Sequence, residues 1–293
     1  MTRITQGMVA RSSLANLQKS LGRTQRLQEQ LSTGRQLNRP SDSPTGLVTA
    51  MQTRSSLARR EQHLRNADNA VGWLNTADAA LQGSSNMLRR VRDLTVQGGN
   101  STLDPVSREN MAQEIEAIRA GLTEIANSRY AGRLLFAGNA DVPVAFDAAG
   151  NFQGDTGQVE RTLADGQQIA VNVSGIEVFG SGAGSVFDVL TQIADDLRNN
   201  PEDVVANNLD NLDTRVDTVL TALGDIGART NRIENMRERA TSDEINLKTR
   251  LSEAEDVDLP ETIMELQLQE VAYQAALNAT SRVIQPSLLD FLR

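Results

Sequence analysis

The chain has 293 residues, no cysteine and an aromatic content of only 3%. Without cysteine there are no disulfides or thiolate metal sites, and so few aromatic residues are typical of coiled coils and helical bundles rather than compact enzyme cores. The net charge of −9 argues against nucleic acid as the main partner, because phosphate binding needs a basic surface.

The N-terminal region combines leucines at helical spacing with a positive charge. Residues 1–65 carry 11 Lys and Arg against 3 Asp and Glu. A DNA-binding arm is one interpretation, but we favour a basic face that meets an acidic helix. We expect neither a cleaved signal peptide nor membrane insertion, because apolar segments of the required length are missing. The leucines predicted to form an assembly interface are Leu14, Leu17, Leu21, Leu27 and Leu31.

A joint and two helices follow. Prolines and glycines at about residues 32–46 predict a break between helices. A long helix then runs to about Gln97, where two glycines stop it. Asp104 is predicted to cap the next helix, with Pro105 in its first turn. His63 is the single histidine, and we interpret it as a surface residue of the long helix rather than a metal ligand.

The composition changes between residues 132 and 184, where ten of the 21 glycines and four of the six phenylalanines lie. Two alternating apolar runs, 159–163 and 168–173, flank Asp165-Gly166. An Asp-Gly pair between such runs predicts a β-hairpin. This segment is therefore expected to be a small β-rich insert.

Helices return toward the C-terminus. Ser185 is predicted to cap one helix, and Pro201 to start the longest helix of about 50 residues. Asp258 with Glu261 opens the terminal helix in a capping-box-like pattern. Residues 240–293 carry 4 basic against 10 acidic side chains. This terminal helix has two apolar rows that can meet two neighbours, and its predicted assembly residues are Ile263, Leu266, Leu268, Val271, Tyr273, Leu277, Ile284, Leu288 and Leu289.

These elements predict a mainly α fold with a β insert: an elongated antiparallel helical bundle whose paired terminal helices form a coiled-coil-like arm. The predicted domains are a terminal-helix assembly domain (1–45 and 255–293), a helical bundle domain (46–131 and 185–254) and a β-rich insert (132–184). No catalytic, cofactor-binding or metal-ligating pattern is recognisable, so we expect neither an enzyme nor a cofactor.

The joint carries the first family resemblance. Residues 31–42, with the motif Asn38-Arg39-Pro40-Ser41-Asp42, resemble the segment after the first helix of bacterial flagellins and hook-associated proteins. Residues 66–81, 88–97, 226–233 and 251–258 look like later helices of that superfamily, in the same order. Within it, Pro40, residues 130–138 and residues 287–292 resemble the hook–filament junction family, hook-associated protein 3, more than flagellin.

The resemblance implies an extracellular structural role in the bacterial flagellum, reached by flagellar type III export without a cleaved signal. A ring of this chain would join hook-associated protein 1 to the flagellin filament, and an export chaperone would hold it beforehand. The implied partners are therefore further copies of itself, hook-associated protein 1, flagellin and that chaperone, with no nucleic acid and no membrane.

The energetics suggest that the chain ends order on assembly. Fixing the N-terminal segment costs more conformational entropy than the burial of five leucines offsets, and an isolated helix of this length is marginal in water. We therefore expect disordered ends in the monomer. Two alternatives stay open: a minor flagellin that forms filament, and, more distantly, a cytosolic coiled-coil signalling or nucleic-acid-binding protein.

Overall fold

The computed structural model describes residues 6–100 and 103–284. In that part the chain is mainly helical, with two small two-stranded sheets in its central region, which confirms the predicted fold class. The elements in chain order are α1 (Gln6–Thr33), α2 (Pro44–Gly98), α3 (Pro105–Ala126), β1 (Arg129–Tyr130), β2 (Arg133–Leu134), β3 (Glu160–Ala164), β4 (Gln167–Ala170), α4 (Gly175–Phe179), α5 (Val186–Asn199), α6 (Val204–Glu255) and α7 (Leu259–Ile284).

The chain divides into two compact units. One unit comprises Met1–Arg59 with Glu244–Arg293, and the other comprises Arg60–Asp243. The long helices α2 and α6 each contribute a segment to both units. The three-part division at residues 45, 131, 184 and 254 stays a prediction. No helix within residues 6–100 and 103–284 combines the length and apolarity that crossing a membrane requires.

In the larger unit, α2 and α6 run antiparallel. Arg60 pairs with Asp243 at 3.1 Å, and Arg92 pairs with Asp213 at 2.7 Å, so residues later in α2 meet residues earlier in α6. The buried face of α6 repeats every seven residues, as expected for helices that pack along their length. The fully buried residues that follow this seven-residue step are Leu212, Val219, Ile226 and Ile233.

Two helix caps confirm predictions from the sequence. The Asp104 carboxylate accepts a hydrogen bond from the Ser107 N–H at the start of α3. The Ser185 hydroxyl accepts one from the Asp188 N–H at the start of α5. Each cap satisfies an amide that the first helical turn leaves without a partner.

The prediction that Pro201 starts the longest helix is wrong. Residues 201–203 form a turn, in which the Asp203 N–H donates to the Asn200 carbonyl at 3.1 Å. Helix α6 therefore begins only at Val204. With 52 residues it is also shorter than α2, which has 55.

The predicted hairpin is confirmed as β3 and β4, which pair antiparallel with Glu160 opposite Ala170. Gly166 lies in the turn at φ +73°, a conformation that glycine adopts without strain. The region around the hairpin is built on aromatic contacts with ring centroids 5.2–6.1 Å apart. The fully buried rings are Phe136, Phe146, Phe179 and Phe187.

His63 lies on α2 as predicted, but the prediction that it is a surface residue is wrong. Its side chain is only 12% exposed, because the β3–β4 hairpin covers this face of α2. One ring nitrogen lies 3.4 Å from the Thr162 carbonyl oxygen and the other lies 3.4 Å from the Asp165 carboxylate. His63 therefore contributes to the docking of the hairpin on the helix.

Candidate assembly interface

The two terminal helices α1 and α7 pack against each other within the smaller unit. The backbone joins them where they meet the joint: the Gln36 N–H donates to the Glu255 carbonyl at 2.7 Å, and the Val257 N–H donates to the Gly34 carbonyl at 3.1 Å. Arg35 and Asp256 form an antiparallel bridge there. The helices therefore run antiparallel, and the prediction that the terminal helices pair with each other is confirmed.

The face along which α1 and α7 meet is here called the seam. Its members are at least partly buried and recur at steps of four and three residues, which is the pattern of a coiled coil. Half of them are polar, so the seam is weakly apolar. The seam consists of Ser13, Leu17, Ser20, Thr24, Leu27 and Leu31 in α1, and of Thr262, Leu266, Gln269, Tyr273, Ala276 and Thr280 in α7.

A second row on α7 is apolar and exposed, and is here called the outer row: Met264, Leu268, Val271 and Ala275. Met264 is 65% exposed, Leu268 70% and Val271 65%. At 100° per residue, these positions fall on the side of the helix that faces away from the seam. A large apolar surface on α7 is therefore left uncovered.

The predicted interface residues fall into three groups. Those on the seam are Leu17, Leu27, Leu31, Leu266 and Tyr273. Those that stay exposed are Leu14, Leu21, Ile263, Leu268, Val271 and Leu277. Leu288, Leu289 and the side chain of Ile284 lie outside the described residues. Their role in assembly stays a prediction.

The polar half of the seam was missed by the sequence analysis. Ser20 and Gln269 face each other, with the Gln269 amide donating to the Ser20 hydroxyl at 2.7 Å. The seam positions of α7 also follow 4-3 steps, so the signal was present in the spacing. Apolar periodicity does not reveal this face, because half of the seam is polar and the apolar residues of α7 lie on several faces.

The opposite charges of the two helices line a common cleft of about 510 Å³. Arg23 and Arg26 of α1 stand on one wall, and Glu261 and Glu265 of α7 on the other. Among the described residues, none of the ion pairs found joins α1 to α7. The predicted charge complementarity is therefore not realised as direct contacts between these helices.

The joint motif forms a closed turn after α1. The Asp42 carboxylate accepts hydrogen bonds from the backbone N–H groups of Arg39 at 2.8 Å and Asn38 at 3.2 Å. The Arg39 guanidinium also pairs with Glu29 of α1 at 2.8 Å. Pro40 and Ser41 are exposed at the tip. Asp42 thus holds the turn, because one carboxylate satisfies two amides that a turn leaves unpaired.

Next to the joint lies a buried carboxylate. Glu255 is 6% exposed in its side chain and pairs with Arg54 of α2, which is 44% exposed. The backbone carbonyl of Glu255 also accepts the Gln36 N–H. Glu255 therefore links the joint, α2 and the end of α6 within the smaller unit.

The described residues offer no metal site: no group of three or more His, Asp or Glu side chains there is placed to hold an ion. A cleft of about 570 Å³ lies between the β3–β4 region and α6. Its arginine, Arg229, donates to the carbonyls of Ala170 and Asn172 at 3.2 and 3.0 Å and pairs with Asp225. These groups therefore hold the hairpin region against α6.

Comparison with known proteins identifies the class. The model of the bacterial flagellin N-terminal helical region matches residues 4–141, and that of the C-terminal helical region matches residues 209–292. The chain belongs to the flagellin family. It is therefore a structural component of the bacterial flagellum and not an enzyme.

Individual relatives include both flagellins and flagellar hook-associated proteins. Flagellin of Bacillus subtilis is 27% identical over 99% of this chain and 100% of that protein. Flagellar hook-associated protein 3 of Salmonella typhimurium is 22% identical and covers 94% of each chain. The structure of a flagellar hook-associated protein from Vibrio parahaemolyticus superposes with a TM-score of 0.69 and 21% identity, covering 73% of this chain and 100% of that one.

Proposed function

We propose that this chain is the subunit of the hook–filament junction and that it assembles as a ring through α1 and α7. The observation that carries the proposal is the distribution of apolar residues on α7. A helix that is apolar on several faces is normally buried on those faces. Within the protomer, α1 covers the seam of α7 but not the outer row. The outer row is therefore left for neighbouring subunits.

Two further observations agree with a junction subunit, and the first of them is shared with flagellin. The similarity to hook-associated protein 3 extends over 94% of both chains, including the central region. The segment 130–138, which resembles the junction family, forms the β1–β2 hairpin and places Phe136 in the aromatic core. A filament-forming flagellin is the second candidate, because the Bacillus subtilis flagellin aligns over nearly the whole chain with 27% identity.

The same proposal names partners and location. In the extracellular flagellum, the ring would contact further copies of this chain, hook-associated protein 1 on the hook side and flagellin on the filament side. Before assembly the chain would pass through the flagellar type III apparatus, with an export chaperone covering the exposed apolar surface of α7.

Deletion and polymerisation separate the two candidates. Deleting the gene is expected to leave hooks without filaments and to release flagellin into the medium, and re-expression of this chain restores attachment. Purified chain added to filament fragments is expected to stop at a short ring. Unlimited elongation, or attached filaments in the deletion strain, would favour the flagellin alternative.

Ordering of the ends on assembly is tested by limited proteolysis. In the soluble monomer, protease is expected to remove the segments that contain α1 and α7 and to spare Arg60–Asp243. After assembly the same segments resist cleavage. Terminal segments that resist protease equally well in the monomer would argue against coupled folding and assembly.

A further inference from the structure

The face that α7 buries against α1 is less apolar than the outer row that it leaves exposed. Its seam contains Thr262, Gln269 and Thr280, whereas every member of the outer row is apolar. Burial of apolar area is the main force that packs helices together, and it is non-directional. That force alone would favour packing of α1 on the outer row, so directional interactions are needed to explain the observed face. The backbone hydrogen bonds at the joint act at one end of the helix pair only.

A hydrogen-bonded pair on the seam supplies such an interaction. The Gln269 Nε2 donates to the Ser20 Oγ at 2.7 Å and lies 3.3 Å from the Ser20 carbonyl oxygen. Both residues are partly buried, so water replaces their contact poorly. Leu268 and Val271 lie on the outer row at about the same position along the axis of α7. Their side chains have no polar atom to which Ser20 can form a hydrogen bond.

We propose that Ser20 and Gln269 select the face of α7 that packs on α1 and thereby keep the outer row uncovered for contacts between subunits. A single polar pair in a coiled-coil seam can determine orientation in this way, at some loss of stability. Only the use of the outer row rests on the proposed junction role. The selection of the face is a property of the isolated chain.

Paired cysteines can report the packed face, because the native chain contains none. Ser13 and Ala276 lie one heptad from Ser20 and Gln269 along the antiparallel pair, and both are partly buried. Ala275 is the adjacent residue but is exposed on the outer row. In dilute full-length protein under oxidation, a disulfide traps α1 and α7 whenever they pair, even if the ends are ordered only part of the time. The Ser13→Cys/Ala276→Cys variant is therefore expected to form its disulfide in much higher yield than the Ser13→Cys/Ala275→Cys variant.

Gln269→Ala is then added to both reporter variants. Loss of one hydrogen bond is expected to lower the ratio of the two disulfide yields about three- to tenfold. Gln267→Ala is the matched control, because Gln267 is an exposed glutamine of the same helix, and it should leave the ratio unchanged. The proposal would be overturned if the ratio is near one in the two reporter variants themselves, or if Gln269→Ala leaves it unchanged. It would also be overturned if Gln269→Ala and Gln267→Ala lower the ratio equally. No other flagellar protein enters this experiment, so its result is independent of whether the chain forms the junction or the filament.

Discussion

Replacing the three large residues of the outer row by glutamine should prevent assembly without unfolding the monomer. The change is Met264→Gln, Leu268→Gln and Val271→Gln, which preserves helix propensity while removing apolar surface. These side chains are 65–70% exposed in the protomer, so about two-thirds of their area is left to bury. Because full burial of such a side chain is worth roughly 1.5–3 kcal/mol, each contributes about 1–2 kcal/mol and the three together about 3–6 kcal/mol.

That loss corresponds to a subunit affinity weaker by roughly two to four orders of magnitude. The assays are filament attachment in a deletion strain that expresses the variant, and sedimentation of the purified chain. Thermal unfolding followed by circular dichroism should match that of the parent, because the protomer makes little use of these side chains. Gln267→Ala with Gln274→Ala on the same helix serves as the control. The reasoning fails if the triple variant attaches filaments normally, or if the melting temperature of its monomer falls sharply.

Three further predictions concern the protomer. Arg54→Met leaves the Glu255 carboxylate buried beside an apolar side chain and should destabilise the fold by about 1–3 kcal/mol in denaturant titrations. Gly138→Ala should cost about 2–5 kcal/mol, because Gly138 has φ +70° and an added Cβ would lie 2.1 Å from an Asp155 carboxylate oxygen. Hydrogen bonds from the N–H groups of Asn139 and Gly157 lower the pKa of Asp155. Its ionised form therefore stabilises the fold above the unfolded-state pKa, and this stabilisation is lost as pH falls through the folded-state pKa. Asp155→Asn should weaken this acid dependence in thermal melts.

Each of these changes has a matched control. Arg59→Met alters an arginine of the same helix that bonds only to nearby serines among the contacts found in the described chain. Gly132 also has a positive φ, but an added Cβ there would have no atom within 4 Å. Gly132→Ala should therefore lower the free energy of unfolding by less than Gly138→Ala. Asp141→Asn alters an exposed carboxylate two residues after Asn139, whose N–H bonds to Asp155. If a control variant proves as destabilising as its partner, the specific contact is not the cause.

The sequence by itself determined most of the elements. Helix starts at Asp104 and Ser185 were predictable because a side chain that caps a helix bonds to amides two or three residues away. The hairpin at Asp165-Gly166 was predictable for the same reason, since the backbone conformation of a tight turn depends on the residues within it. The pairing of the chain ends followed from apolar spacing at both termini.

Tertiary structure decided which faces and contacts these elements use. The β3–β4 hairpin that covers His63 lies about a hundred residues later in the chain. The residues next to His63 in the sequence do not indicate that contact. The sequence also does not determine which face of α7 meets α1, because α7 carries apolar residues on several sides. When more than one side of a helix is apolar, the periodicity does not indicate which side is buried. Only the docked pair α1–α7, with Gln269 against Ser20, shows which side is buried and which is left for a neighbour.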